Sequence, residues 1–309
     1  MKKNLIYSIK YILLAFFLVI LPLALIKAAI KKPFDMPQKL GGEWVSAKTL
    51  NLGHETYTNY CMQCHGISGD GLGPAAMGAY PPPRNFKEGV FKFANVSSGE
   101  LPRDVDLAHT IRYGLTGTPM LPWDISDKRL NAVVQYIKTF SDIWKEEVPG
   151  EALDISQNPF TANQANEAIE LGRKVYNGVG KCFTCHAAYD SKAVMNQHSI
   201  EMTESGIDDD DYRENLHVSL PLASEYGVEF VPPDFTKHHI KSGNRLEDIY
   251  RVLNAGVNGA GMASWKGMLS ASGDEAESER NQWALAHYIK SLNDLKYDWE
   301  KKKAFKNSK

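Results

Sequence analysis

The stretch CMQCH at residues 61–65 recurs as CFTCH at residues 182–186. Each copy sets two cysteines three residues apart with a histidine directly after: Cys61, Cys64 and His65, then Cys182, Cys185 and His186. On one helical turn, residues i and i+3 share a face. Both thiols of a pair can therefore reach one ligand, with the histidine beside it. The chain of 309 residues has only 4 Cys, too few for a disulfide-stapled scaffold of this size.

Outward from these motifs the chain repeats itself. DLAHTIRYGLTGTPMLPW (residues 106–123) aligns without a gap on DIYRVLNAGVNGAGMASW (residues 248–265), with identity at Asp106/Asp248, Gly114/Gly256, Gly117/Gly259, Met120/Met262 and Trp123/Trp265. Each copy reads as a short helix with the Asp as its N-cap. Leu107 with Ile111, or Ile249 with Leu253, form an apolar face, and Gly114 or Gly256 ends the helix. A G-x-x-x-Y element precedes each cysteine pair (Gly53/Tyr57, Gly172/Tyr176). Pro82-Pro83 is echoed by Pro232-Pro233, and each unit closes on a helix containing Tyr-Ile-Lys, at Tyr136 and Tyr288. This is the repeat of a whole domain rather than a solenoid. The expected organisation is a membrane anchor or uncleaved signal at 1–33 and a linker at 34–47. Domain 1 follows at 48–145, a linker at 146–164, domain 2 at 165–296 and a basic tail at 297–309. Thr161 and Gln164 fit a capping box opening domain 2. An insertion at about 187–231 shows no clear periodicity, and its acidic run at residues 208–211 reads as a solvated loop or a docking face for a basic partner.

C-x-x-C-H is the attachment signature of c-type haem. The cysteines would form thioethers with one porphyrin, and the histidine would be the proximal iron ligand. A zinc site would need ligands from two triads more than a hundred residues apart. A redox dithiol would need neither the histidines nor the duplication. Each unit resembles a class I cytochrome c domain. The whole resembles membrane-anchored dihaem c-type cytochromes, with CHGISGDGLGP, PPPRNF and GTPMLPW in the first unit particularly close. The resemblance implies an all-α fold of two tandem haem domains behind one N-terminal transmembrane helix. It also implies two covalent haem c groups, received on the periplasmic side of the membrane.

Domains of this class use a distal methionine. The repeat nominates Met120 for the first iron and Met262 for the second, opposite His65 and His186. Met77 follows His65 too closely to cross the haem. Met195, His198, Met202 and His217 in the insertion are alternatives to Met262, and His54, His109, His238, His239 and His287 read as packing or surface residues. Trp123 and Trp265 read as pocket or helix-packing residues, and Gly53 and Gly172 as the close crossings beneath Tyr136 and Tyr288. Arg84 is not assigned to a haem propionate, because the second unit has Asp234 nearby. The second unit also lacks the glycine loop, reading CHAAYDSKAVM.

Residues 11–26 are 16 uncharged residues, ~24 Å as a helix against a ~30 Å hydrocarbon core. Flanking Lys10 and Lys27 can extend the span, and Ala28-Ala29 leaves a cleaved signal as the competing reading. Six lysines and no acid lie in residues 1–33, so the formal net charge of -2 hides an acidic remainder of 29 basic against 37 acidic residues. That balance gives no signal for nucleic acid. It fits electrostatic steering towards a basic redox partner. The expected function is electron transfer on the periplasmic side of a bacterial inner membrane. The expected partners are a quinol-oxidising complex, dehydrogenase, oxidase or reductase. A catalytic dihaem enzyme such as a peroxidase is the alternative and would need a displaceable axial ligand. A passive docking or assembly subunit is a third class. Enzymes with a cysteine-ligated iron are excluded, since haem attachment uses every cysteine.

Overall fold

The computed structural model describes residues 32–307, so the expected membrane span at residues 11–26 lies outside the described residues. The chain opens with a hairpin, β1 (Gln38–Leu40) antiparallel to β2 (Glu43–Val45). Leu40 is fully buried and Val45 nearly so, both in the first core. Part of the expected 34–47 linker therefore belongs to domain 1. Two three-residue strands are too short to declare themselves by alternation.

Helix α1 (Ala47–Tyr60) starts where the Ser46 side chain accepts a bond from Thr49 N–H at 3.1 Å. The single turn α2 (Met62–His65) follows, then α3 (Asp104–Tyr113), α4 (Asp127–Lys138) and the short α5 (Ile143–Glu146), whose Trp144 is fully buried. The second unit has α6 (Ala165–Asn177), α7 (Lys192–Thr203), α8 (Leu246–Ala255), α9 (Glu275–Asp294) and α10 (Trp299–Asn307). The Thr161–Gln164 capping box is present and leads into α6 through one 3-10 turn. The mainly helical expectation holds, with the hairpin as a small addition.

Each unit has its own apolar core, and the same helix crossing builds both. In the first, α1 passes over α4 at Gly53, where an added Cβ would lie 2.6 Å from Tyr136 Cβ. In the second, α6 passes over α9 at Gly172, where an added Cβ would lie 2.8 Å from Tyr288 Cβ. Side chains at these glycines would hold the helices apart, which is the reason for the repeated G-x-x-x-Y.

Helices α3 and α8 keep the sequence offset of the repeat at both ends. Gly114 (φ 67°) and Gly256 (φ 77°) end them in a backbone conformation that L side chains rarely adopt. Asp106 and Asp248 are not the N-caps. Each sits at the third helical position behind Arg103 or Arg245, and the Asp106 carboxylate accepts from Arg103 N–H at 3.0 Å. An acid at that position serves the same unsatisfied donors from inside the helix.

Three segments are more ordered than their sequence indicates. The 146–164 linker is fastened to both units. Gly150 N–H donates to Leu101 O at 3.0 Å and Leu153 N–H to Asn95 O at 3.0 Å. Asn254 Nδ2 donates to Asp154 O at 3.0 Å, Trp283 Nε1 to Ser156 Oγ at 3.1 Å, and Phe160 enters the second core. The insertion contains α7, which packs on α6 through Met195, His198 and Ser199. These buried residues are too mixed in polarity to show an apolar stripe. The acidic run itself is an exposed 3-10 turn. The basic tail is α10, with Phe305 against the second core.

The two units meet along one seam. Thr116 N–H donates to Lys241 O at 3.2 Å, and Asn258 N–H donates to Lys92 O at 3.3 Å. Tyr80 Oη donates to Glu229 O at 3.4 Å, and the Arg84 guanidinium carbon lies 3.5 Å from the Tyr226 ring centroid. Segment 222–241 of the second unit lies over both methionine loops. A Cβ at Gly117 would meet the His239 ring at 3.1 Å, and one at its repeat mate Gly259 would meet Tyr226 at 2.7 Å.

Candidate haem sites

Cys61 follows α1 directly, and Cys64 N–H and His65 N–H both donate to its carbonyl, at 3.2 and 3.0 Å. Cys185 N–H and His186 N–H donate to the Cys182 carbonyl at 3.3 and 2.9 Å. The two motifs therefore share one local fold, although the second turn is 3-10. All four thiols are free and partly buried. Burial, then the neighbouring Cys64, pushes Cys61 up to about 12. Burial likewise pushes Cys182 up to about 12. A redox-active C-x-x-C works through a lowered thiol pKa, so these surroundings oppose the dithiol reading. Among the described residues, no three of His, Cys, Asp and Glu come together as a site for a metal ion.

The histidines are oriented alike. His65 Nδ1 lies 3.1 Å from Arg84 O, and His186 Nδ1 lies 3.0 Å from Pro233 O. A carbonyl oxygen only accepts, so Nδ1 carries the hydrogen and the Nε2 lone pair is left for a metal. Burial is the main influence on both imidazoles and lowers their pKa values, which favours the neutral form that ligates. Each ring stacks on a phenylalanine, His65 on Phe86 with centroids 4.5 Å apart and His186 on Phe235 at 4.9 Å.

These contacts correct the register of the repeat. Phe86 matches Phe235, so Arg84 matches Pro233, Asn85 matches Asp234 and Pro83 matches Pro232. The proline pairs are thus aligned one residue apart from the sequence reading. Pro-x-(Asn/Asp)-Phe, present in both units, was the available signal. Asn85 and Asp234 also cap equivalent turns, accepting from Lys87 N–H at 3.1 Å and Thr236 N–H at 3.0 Å.

The tyrosines of G-x-x-x-Y brace the motifs from behind. Tyr57 Oη donates to Gly66 O at 2.6 Å and Tyr176 Oη to Ala187 O at 2.7 Å, each at the residue after the histidine. Sequence reading assigned no role to these hydroxyls, because the bond depends on how the helix packs.

Met120 and Met262 lie on loops of matching backbone. Leu115 N–H donates to Met120 O at 2.8 Å, and Val257 N–H donates to Met262 O at 2.9 Å. Trp123 N–H returns to Ile111 O at 3.1 Å, and Trp265 N–H to Leu253 O at 2.9 Å. Cys61 and Met120 pack against the first core, and Cys182 and Met262 against the second. Each unit therefore sets the first thiol of its pair and a loop thioether against one core, with the imidazole stacked on a phenylalanine of that core. That donor set fits a covalently held haem.

The alternative donors have other surroundings. Met195 is fully buried in the second core and Met202 packs against it. His198 Nδ1 lies 3.0 Å from Asn177 Nδ2, and His217 Nδ1 lies 3.0 Å from Ala188 O. Met77 is 91% exposed. His54 packs edge-on to Tyr136, and His287 bonds Asn158 at 3.0 Å.

Residues 48–137 match the family described as "Cytochrome C oxidase, cbb3-type, subunit III". Among solved structures, the chain is similar to one from the Kuenenia stuttgartiensis reducing HAO-like protein complex Kustc0457/Kustc0458. The identity is 29% and the TM-score 0.60, over 78% of this chain and 95% of that one. No curated protein matches. Residues 48–137 are a cytochrome c domain, and a second Cys-x-x-Cys-His stands at Cys182, Cys185 and His186 beyond it.

Proposed function

We propose that the chain is a dihaem c-type cytochrome that transfers electrons between redox proteins and performs no substrate chemistry of its own. Haem c on each unit would supply one-electron Fe(III)/Fe(II) chemistry. Cys61 and Cys64 would hold one group through thioethers, and Cys182 and Cys185 the other. His65 and His186 would ligate through Nε2, with Met120 and Met262 as the opposing thioether ligands. The observation that carries this reading is the duplication of detail: both histidines are turned by a carbonyl at Nδ1, and both methionine loops share one hydrogen-bond pattern. A soft thioether favours the ferrous state and leaves the iron no open position, which supports a carrier rather than a peroxidase.

The similar chain belongs to a protein complex. This chain is proposed to work as a carrier or as the cytochrome subunit of a respiratory complex. Its partners would be a quinol-oxidising complex, dehydrogenase, oxidase or reductase. The apolar run flanked by lysines supports a single N-terminal membrane anchor; its flanking lysines are evenly divided, and the periplasmic placement of the haem domains is supported by the two Cys-x-x-Cys-His motifs and the resemblance they carry. The mass of the denatured protein should exceed that of the polypeptide by two haems. The oxidised protein should show the near-infrared Met–Fe(III) band from both. A mass gain of one haem or none, or a spectrum of bis-histidine or high-spin haem alone, overturns the assignment.

A further inference from the structure

The two units satisfy the carbonyl of the motif histidine in different ways. In the first unit the glycine loop closes on the motif through its backbone. Gly71 N–H donates to His65 O at 2.9 Å, and Gly73 N–H donates to Cys64 O at 3.2 Å. A Cβ at Gly73 would lie 2.3 Å from Gln63 O, so a side chain there would push the loop away. The second unit has no such loop. Leu220 N–H, from the insertion, takes the Cys185 carbonyl at 2.8 Å. The His186 carbonyl accepts instead from a side chain, through Nη2 of Arg213.

Arg213 uses every donor it has. A guanidinium carries five N–H groups in a planar fork. Nε donates to Phe183 O at 3.0 Å, Nη1 to Asn215 O at 2.7 Å and to Val218 O, and Nη2 to His186 O and, at 3.3 Å, to Leu216 O. Phe183 and His186 belong to the second motif, and the other three carbonyls belong to the insertion. The side chain therefore fastens one to the other. Tyr212 adds to the join by stacking on Phe183, with ring centroids 5.9 Å apart.

The acids close to Arg213 in sequence do not balance it. Asp211 faces Lys181 at 4.0 Å, Asp209 faces Lys192 at 3.9 Å, and Glu214 is exposed. Arg213 enters no ion pair among the described residues. A guanidinium keeps its proton in a protein. The second motif thus carries a full positive charge where the first has a neutral backbone N–H.

We infer that Arg213 is a positioning residue of the second haem site: it holds His186 and the cysteine turn in place of a glycine loop, and its unbalanced charge raises the reduction potential of the second haem. This rests on the haem reading above. Arg213 acts through main-chain carbonyls and not on the iron. A fixed cation nearby disfavours Fe(III), which carries one more positive charge than Fe(II). The insertion is then part of the second site rather than a surface loop.

The test uses the full-length holoprotein with R213Q, R213K and R245Q. R213Q removes the charge and the fork, and R213K keeps the charge without the fork. R245Q makes the same change at an exposed arginine of the same unit and is the control. Spectroelectrochemical titration reads both haems, and the wave that M262A displaces is that of the second. In R213Q the second wave should fall by about 59 mV, about a tenfold change in the one-electron equilibrium, with the first wave unmoved. R213K should keep the second wave near the native potential while melting at a lower temperature, and R245Q should move neither wave. Loss of the second haem alone from R213Q, with R213K retaining it at the native potential, would equally support the inference. An unmoved second wave in R213Q, an equal fall of both waves, a fall in R213K as large as in R213Q, or loss of the second haem from both Arg213 variants overturns it. Counting haems by mass in the native protein separates its failure from that of the haem reading.

Discussion

Tyr57 donates its hydroxyl to the carbonyl of Gly66 at 2.6 Å, immediately after the histidine of the first Cys-x-x-Cys-His motif. The bond ties helix α1 to the loop that leaves the motif, and Tyr176 with Ala187 repeats it at 2.7 Å. Tyr57→Phe and Tyr176→Phe each leave a carbonyl without its donor. Each is expected to cost about 1–3 kcal/mol. Chemical denaturation of the holoprotein checks this, and an unchanged midpoint in both variants would show that water replaces the hydroxyl.

The helix crossings at Gly53 and Gly172 leave no room for a side chain. A Cβ at Gly172 would press on both Ala284 and Tyr288. Gly172→Val is expected to destabilise the second unit by about 1–3 kcal/mol through overpacking. Gly53→Val should do the same to the first. Thermal melts followed by circular dichroism read the loss, whereas Gly227→Val at a site open to solvent tests only backbone strain.

Met120→Ala and Met262→Ala should act separately. Each variant is expected to keep both covalent haems and to lose about half of the near-infrared Met–Fe(III) intensity. Loss of the whole band from one substitution would contradict one methionine per haem. If M262A left the band intact, the second distal ligand would have to be sought among Met195, Met202, His198 and His217.

Asp190 gives the second unit an acid-sensitive anchor. Burial raises this carboxyl, but hydrogen bonds from Arg173 and Asn177 outweigh it and hold the pKa below the usual value. Arg173 Nε lies 3.1 Å from both carboxylate oxygens. A depressed folded-state pKa gives stability that is present above the unfolded value of ~3.9 and is lost as pH falls through the folded value. Asp190→Asn should therefore be less stable than the native protein at neutral pH. The difference should shrink as the solution is acidified below about pH 4. Melting temperatures measured across that range provide the check, and a constant difference would remove the carboxylate from the account.

The seam makes a related prediction about the linker. Asn95 Nδ2 donates to Leu153 O at 2.8 Å, and Asn254 Nδ2 donates to Asp154 O at 3.0 Å, so adjacent linker residues are pinned to different units. Proteolysis between residues 146 and 164 should be slow in the native protein. Asn95→Ala together with Asn254→Ala should speed cleavage there several-fold, with little change at the exposed turn over residues 208–211.

The sequence alone determined the motifs, the duplication and the helical character, because these rest on short-range relationships. Two thiols and a histidine within five residues state their chemistry locally. The glycine before each tyrosine reports a helix crossing through the mere absence of a side chain. The offset between residues 106–123 and 248–265 was readable because the two loops have the same backbone requirements at Gly114 and Gly256. Only the tertiary structure decided which carbonyl turns each histidine, since Arg84 and Pro233 lie 19 and 47 residues away along irregular chain. It also turned the linker, insertion and tail into packed segments. Their contacts are hydrogen bonds to scattered carbonyls and single buried rings, which leave no periodic trace. The same is true of the seam: Lys92 and Tyr226 carry no signal in the sequence, and they meet Arg84 only because the two units fold against each other.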